Sequence, residues 1–129
     1  MAWVDIVGIA ALVQLIAFSA LVGRARRDYA LPAPATTGHP VFERYFRVQM
    51  NTVETLIVYL PGLWLAAKYW PPHYVAAVGA VYLIGRVVYL RGYVRDPRSR
   101  HVGYLLSSAP TVALLLAALI GAIRSLILH

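Results

Sequence analysis

Two long stretches of this chain contain no charged residue, and they largely decide what it can fold into. Ile6–Gly23 is 18 residues long and Val102–Ile123 is 22 residues long. A helix needs about 20 apolar residues to cross the hydrocarbon core of a bilayer. Because 60% of the residues are hydrophobic and only 13% are charged, we expect residues 1–129 to form one membrane domain.

Two further segments are long enough to cross a membrane only if they carry polar residues with them. Tyr74–Gly85 must extend through Arg86, and the uncharged part of the segment before it, Thr55–Ala67, has only 13 residues. With both segments included, the short connections predict an all-α, up-down bundle of four transmembrane helices. The predicted helices cover about residues 3–23, 41–67, 74–95 and 101–127.

The basic residues are distributed unevenly around these helices. Ten of the twelve lysines and arginines flank or fill the first and third connections, and only Lys68 and Arg124 lie near the opposite ends. Arginine-rich loops remain in the cytoplasm, so we expect both termini to lie outside. This bias also accounts for the net charge of +7, and arginines at helix ends do not indicate nucleic-acid binding. The first stretch follows Asp5 and no basic residue, which is unlike a signal peptide.

Several kinds of chemistry lack the residues that they need. There is no cysteine, which excludes a disulfide, a zinc–thiolate site and a cysteine nucleophile. The four histidines are scattered over loops and helix ends without the spacing of metal ligands. We therefore expect no metal, and any thiol chemistry would use a thiol that a ligand supplies.

The second segment carries a row of polar side chains at helical spacing, formed by Arg44, Arg47, Asn51 and Glu54. These residues fall within an arc of roughly 80°. Ionisable side chains at membrane depth usually face the interior of a bundle and mark a functional site. We expect an inward-facing row in which the carboxylate binds a ligand ammonium and an arginine binds a ligand carboxylate. The alternative is an ion-pair network that only fixes helix packing.

The third segment carries a second polar face, on which Tyr82, Arg86, Tyr89 and Tyr93 share an arc of roughly 60°. A lone tyrosine near a helix end would be read as a residue of the membrane interface. Hydroxyl groups beside an arginine instead favour the wall of a polar pocket. Arg91 lies off this face, towards solvent or lipid phosphate.

Arg100 follows Pro97 at the start of the fourth helix, near the cytoplasmic ends of the second and third helices. Taken alone, it is one more arginine that sets the topology. Together with Arg47 and Tyr89 it would bind an anion, and a guanidinium beside a thiol favours the reactive thiolate.

The polar row belongs to a longer pattern. Residues 42–54 read FERYFRVQMNTVE, which contains E-R-x-x-R-x-x-x-N-x-x-E. This pattern resembles that of the MAPEG family, the membrane-associated proteins in eicosanoid and glutathione metabolism. The likeness is closest to the branch of leukotriene C synthase and microsomal glutathione transferase type two. It covers nearly the whole chain, through Ala25-Arg26-Arg27, Thr36-Thr37-Gly38, Val81-Tyr82-Leu83, Arg86 and Tyr89-x-x-Gly92-Tyr93.

The resemblance implies a homotrimer that holds glutathione, its co-substrate, between neighbouring subunits near the cytoplasmic face. By position, the residues that bind glutathione would be Arg26, Arg47, Gln49, Asn51, Glu54, Tyr89 and Tyr93. Arg100 stands where the family has its thiolate-stabilising arginine and is the catalytic candidate. Supporting roles would fall to Arg27, Arg44 and Arg86.

Two places depart from the family pattern. Thr55 stands where this branch has a tyrosine that contacts glutathione, so one aromatic contact is missing or replaced. Residues 95–100 also differ, which bears on the placement of Arg100. We expect no tail after the fourth helix of this short chain and, with it, a protein of the bacterial inner membrane whose site faces the cytoplasm.

The resemblance implies a membrane glutathione S-transferase with a role in detoxification. The glutathione thiolate would attack a lipophilic electrophile in the bilayer, or reduce a lipid hydroperoxide. One alternative is a non-catalytic protein of the same fold that binds lipid or presents it to a partner. Another is a small proton-coupled transporter in which Glu54 carries the proton. Several arginines around one glutamate fit an anionic ligand better than a proton switch.

Overall fold

The computed structural model describes every residue from Met1 to His129 and contains four long helices and no strand. The helices are α1 (Ala2–Asp28), α2 (Pro40–Tyr69), α3 (Pro72–Arg95) and α4 (His101–Leu128), and a short 3₁₀ helix (Pro97–Ser99) connects the last two. The predicted all-α, four-helix architecture is confirmed. α1 continues beyond its expected end near residue 23, because residues 24–28 include no glycine or proline that would end a helix.

Prolines and a histidine define the starts of the two central helices. Pro40 and Pro72 occupy the first turns of α2 and α3, where a missing N–H leaves no hydrogen bond unmade. The Nδ1 atom of His39 accepts a hydrogen bond from the backbone N–H of Val41 at 3.2 Å. This contact caps the first turn of α2 and sets where the polar row begins.

Two glycines allow α3 and α4 to approach each other closely. A Cβ atom on Gly85 would lie 2.5 Å from the carbonyl carbon of Leu106, and one on Gly103 would overlap the backbone of Tyr89. Small residues permit such backbone contact between membrane helices. The close approach brings Ser107 of α4 against the polar face of α3.

The apolar core lies among all four helices and contains two stacked tyrosines. The rings of Tyr59 and Tyr82 lie with their centroids 3.8 Å apart. The Tyr59 hydroxyl donates to the carbonyl of Gly79 at 2.9 Å, and the Tyr82 hydroxyl lies 3.0 Å from the hydroxyl of Thr55. Both phenols therefore have polar partners inside the bundle, as buried hydroxyl groups require. The most deeply buried apolar residues are Val4, Ala11, Phe42, Val48, Leu63 and Ala66.

The outer surfaces of α1 and α4 are apolar. Ile16 is 68% exposed and Leu126 is 80% exposed, and such surfaces are stable when they face lipid. Three segments are long and apolar enough to cross a membrane: α1, α3 and Pro97–Leu128. α2 is not among them, because its charged residues leave only the short uncharged stretch Thr55–Ala67.

Candidate active site

The polar row of α2 does not face the interior of the bundle. Arg47 and Glu54 are exposed, and Asn51 and Arg44 are half-buried. The expectation of an inward-facing row is therefore wrong for the single chain. The reason is that packing uses the less polar face of α2, roughly 110° around the helix by its spacing. That buried face consists of Val48, Thr52, Leu56, Tyr59 and Leu63.

Two members of the row, Asn51 and Glu54, line a groove of about 310 Å³ between α2 and α4. Its lining residues are Asn51, Glu54, Thr55 and Val58 from α2, with Tyr104, Ser108, Thr111 and Val112 from α4. The single ion pair of the chain joins Arg24 and Asp28 at 3.9 Å, far along α1 and exposed to solvent. The row is therefore not neutralised by the chain's own ion pairs, and the alternative of an internal ion-pair network is wrong for the single chain.

Arg86 is the one charged side chain that the bundle buries completely. Its Nη1 atom donates to Oδ1 of Asn51 at 2.8 Å and to Oγ1 of Thr52 at 3.2 Å. Its Nη2 atom donates to Oγ of Ser107 at 2.7 Å, and its guanidinium lies 4.3 Å from the centroid of the Tyr89 ring. Neutral acceptors and an aromatic face thus hold a cation behind the groove and join α2, α3 and α4.

The tyrosine face of α3 reaches the same region. Tyr82 and Tyr89 are buried and Tyr93 is half-buried, and the rings of Tyr89 and Tyr93 have centroids 5.6 Å apart. Tyr89 belongs to a small buried cluster with Phe18 of α1 and Val48 of α2, and Gly103 near the start of α4 lies against its backbone. Tyr89 is therefore a point where α2, α3 and the start of α4 meet.

Two of the predicted catalytic and supporting arginines, Arg100 and Arg27, are exposed to solvent, whereas Arg44 is bonded to a neighbouring helix. Arg100 is exposed between the 3₁₀ helix and α4, and its Nη1 atom donates to the carbonyl of Pro97 at 3.1 Å. Arg27 is exposed at the end of α1. Arg44 instead donates to the carbonyl of Val94 at 3.0 Å, so it ties α2 to the last turn of α3.

Gln49 hydrogen-bonds to α1, and Arg26 hydrogen-bonds to the connection between α1 and α2. The Nε2 atom of Gln49 donates to Oγ of Ser19 at 2.8 Å. The Nη1 atom of Arg26 donates to the carbonyl of Ala35 at 2.7 Å, and its guanidinium lies 4.8 Å from the centroid of the Phe42 ring. Arg26 thereby holds the connection between α1 and α2.

The predicted glutathione-binding residues consequently lie on two sides of α2. Helical spacing puts Gln49 roughly 140–160° around the helix from Asn51 and Glu54. One chain by itself does not bring Gln49 to the groove. No three histidine, aspartate or glutamate side chains converge as metal ligands would.

Comparison with known proteins identifies the family of this chain. The model of the MAPEG family matches residues 5–120. The chain belongs to the MAPEG family. This MAPEG protein is 37% identical to microsomal glutathione S-transferase 2 of Homo sapiens over 108 residues, which are 84% of this chain and 74% of that protein. It is 42% identical to leukotriene C4 synthase of Cavia porcellus over 100 residues, 78% of this chain and 66% of that protein.

A further relative is bacterial. An uncharacterized protein of Synechocystis is 48% identical over 99 residues, which are 77% of this chain and 72% of that protein. The predicted branch of the family is confirmed by the two named relatives. The chain is an integral membrane protein of a family that includes enzymes dependent on glutathione.

Sequence reasoning missed the polar residues that α4 of this MAPEG protein contributes. Ser107 binds Arg86, and Tyr104, Ser108 and Thr111 line the groove. The signal was present, because these hydroxyl groups recur every three or four residues in a helix that is otherwise apolar. Such spacing predicts a single polar strip along one side of the helix.

Proposed function

We propose that this MAPEG protein is a membrane glutathione S-transferase. The observation that carries the proposal is the polar row of α2, where Arg47 and Glu54 have no charged partner within the chain. Unpaired charges at membrane depth are costly, and a peptide that carries both carboxylate and ammonium groups would pair with both. The similarity to microsomal glutathione S-transferase 2 and leukotriene C4 synthase supports glutathione as that peptide.

A second subunit completes the site in this proposal. Gln49 and Arg26 lie on the opposite side of α2 from Asn51 and Glu54, so one bound tripeptide reaches both groups only between two chains. Three copies around an axis, as the family resemblance implies, would give three equivalent sites. Each site would then combine the groove of one subunit with the α1-facing side of α2 from its neighbour.

The chemistry of the proposed reaction follows from the arginine at the start of α4. Arg100 is exposed, and only its Nη1 atom is engaged, by a backbone carbonyl. Its charge stabilises the thiolate of bound glutathione, and the thiol proton leaves to water. The sulfur then forms a bond to an electrophilic carbon of the lipophilic substrate, and the leaving group departs with the electron pair of the broken bond.

Reduction of a lipid hydroperoxide is a related activity of the same thiolate. The sulfur attacks the terminal peroxide oxygen, and the alcohol is released. A second glutathione then converts the resulting sulfenic acid into glutathione disulfide and water. Both reactions use apolar substrates, which are already concentrated in the bilayer.

We also propose the orientation and location of the protein. The arginine-rich connections would face the cytoplasm, which places the thiolate site where glutathione enters from that side. The bacterial relative supports a bacterial inner-membrane location.

Conjugation of glutathione to 1-chloro-2,4-dinitrobenzene by purified protein in detergent tests the proposal. Arg100→Ala is expected to lower kcat about 100-fold, because it removes the cation beside the thiolate. Arg98→Ala is the matched control, since Arg98 is exposed on the same connection, and it should keep the wild-type rate. A wild-type kcat in Arg100→Ala would remove the catalytic role of Arg100. Thermal stabilisation by glutathione without turnover would favour the non-catalytic binding protein.

A further inference from the structure

The contact between Arg86 and Asn51 determines which way the asparagine amide points. An arginine side chain has five N–H donors and no acceptor. The Nη1 atom of Arg86 lies 2.8 Å from the side-chain carbonyl oxygen of Asn51. A rotated amide would place its NH₂ group against another donor, so the oxygen must face Arg86. The NH₂ group of Asn51 donates to no atom of the chain, and Asn51 lines the groove.

The other acceptors of Arg86 are held in one orientation as well. The Thr52 hydroxyl donates to the carbonyl of Val48 at 2.8 Å, and the Ser107 hydroxyl donates to the carbonyl of Gly103 at 2.8 Å. Each hydroxyl has one proton, so each presents only lone pairs to the guanidinium. The network thus has one arrangement of donors and acceptors. Rotation of the Asn51 amide would lose the hydrogen bond from Arg86 without forming another within the network.

We propose that Arg86 is a positioning residue that holds the Asn51 amide with its N–H donors towards the groove, so that the site selects a ligand oxygen at this point. Glu54, about one helical turn further along α2, presents acceptors to the same groove. Buried Arg86 thus fixes the order of groups along this side of α2, in which the N–H donors of Asn51 are followed by the carboxylate acceptors of Glu54. This inference rests on the proposed function, because it takes glutathione as the ligand whose oxygen is bound.

Complete burial of Arg86 explains why this arrangement is rigid. A guanidinium without an anionic partner is costly at membrane depth. Arg86 is held by its hydrogen bonds to α2 and α4 and by the rings of Tyr82 and Tyr89, and its buried Nε–H has no partner. Rotation of the Asn51 amide would break one of these bonds. The donor direction at the groove is therefore fixed by the hydrogen bond from Arg86 to Asn51.

Asn51→Asp tests the inference in the full-length protein, with glutathione binding measured by titration calorimetry and stability by thermal unfolding. The new carboxylate accepts from Arg86 as the amide oxygen does, so the melting temperature should stay equal or rise. Its second oxygen, however, replaces the outward N–H donors with an anionic acceptor. The Kd for glutathione should therefore rise about tenfold or more.

Two further variants distinguish positioning of the Asn51 amide by Arg86 from a general loosening of helix packing. Ser107→Ala removes one acceptor of Arg86 but leaves Asn51 in place, so it should lower the melting temperature and leave the Kd unchanged. Arg86→Lys keeps the charge but loses the planar fork that binds several acceptors at once. It should raise KM for glutathione while kcat at saturating glutathione stays close to wild type.

The outcomes distinguish this inference from the proposed function. Wild-type protein that does not bind glutathione would overturn the proposed function and this inference together. Wild-type protein that binds glutathione, with an Asn51→Asp variant that binds equally well, would overturn this inference alone. An increase of Kd in Ser107→Ala as large as that in Arg86→Lys would show that loose packing, not amide direction, controls binding.

Discussion

Gly103 of α4 lies directly against the backbone of Tyr89 of α3, with no space for a methyl group between them. This contact connects helix packing to the site, because Tyr89 also covers the guanidinium of Arg86. The distance between α3 and α4 thereby determines whether Ser107 reaches Arg86. Substitutions at the contact are expected to change both stability and the site.

Gly103→Ala should destabilise the protein by about 1–3 kcal/mol, because the added methyl group must push two backbones apart. Thermal unfolding in detergent measures the loss. Gly23→Ala is the matched control, because no atom lies within 4 Å of the position where its Cβ would be. That variant should instead be about 0.5–1 kcal/mol more stable, since alanine is the better helix former. Equal effects of the two substitutions would contradict the close contact.

Arg47→Ala should separate affinity from stability. Arg47 is exposed and forms no ion pair in the chain, so its loss should change the free energy of unfolding by less than about 0.5 kcal/mol. The Kd for glutathione should rise about tenfold, because a charge-assisted hydrogen bond to the ligand is removed. Arg91→Ala, at an exposed arginine of α3, should leave both quantities unchanged. A large loss of stability in Arg47→Ala would mean that its role is structural.

Mixed oligomers test whether two subunits share each site. Glu54→Ala disables the groove side of α2 and Gln49→Ala disables the side that faces α1. Co-expression of the two variants should restore transferase activity, because about a quarter of randomly formed interfaces combine two intact sides. Co-expression of Glu54→Ala with Asn51→Ala, which damage the same side, should restore none. If Glu54→Ala and Gln49→Ala failed to complement each other, all the ligand contacts would lie within one subunit. Recovery in the control would mean that Asn51 and Glu54 do not belong to the same side of one site.

Thr55→Val should cost about 1–3 kcal/mol of stability, because it leaves the buried hydroxyl of Tyr82 without its partner at 3.0 Å. Thr55→Ser keeps the hydroxyl group and should lose less than half as much. Chemical unfolding of the two purified variants measures the difference. A larger loss in Thr55→Ser than in Thr55→Val would show that the methyl group of Thr55, not its hydroxyl, stabilises the α2–α3 contact.

The helices and their polar faces could be predicted from the sequence because they depend on local properties. The number of apolar residues between charges decides whether a segment can cross a bilayer, and helical spacing decides which residues share a face. For these reasons the four helices were predicted correctly, and Tyr82, Arg86 and Tyr89 share one buried face of α3. The family pattern that begins near Glu43 was also readable without coordinates and is confirmed by the comparisons.

The direction in which each face points could not be predicted. Spacing places Arg47 and Glu54 on one side of α2, but it does not say whether neighbouring helices cover that side. The expected inward orientation was wrong because α2 packs through its other face. The partners of Arg86 were hidden for the same reason, since Asn51 and Ser107 are 35 and 21 residues away along the chain.

The sequence by itself determined a four-helix membrane protein of the MAPEG type, with a row of charged and polar residues on α2. It did so because the hydropathy of a segment and the spacing of residues along a helix depend only on consecutive residues. Only the tertiary structure decided that Asn51 and Glu54 line a groove against α4, and that a buried guanidinium orients the asparagine there. Those relationships depend on how closely α3 and α4 approach each other. Gly85 and Gly103 permit the close approach because neither carries a Cβ atom, but the approach itself exists only in the packed bundle.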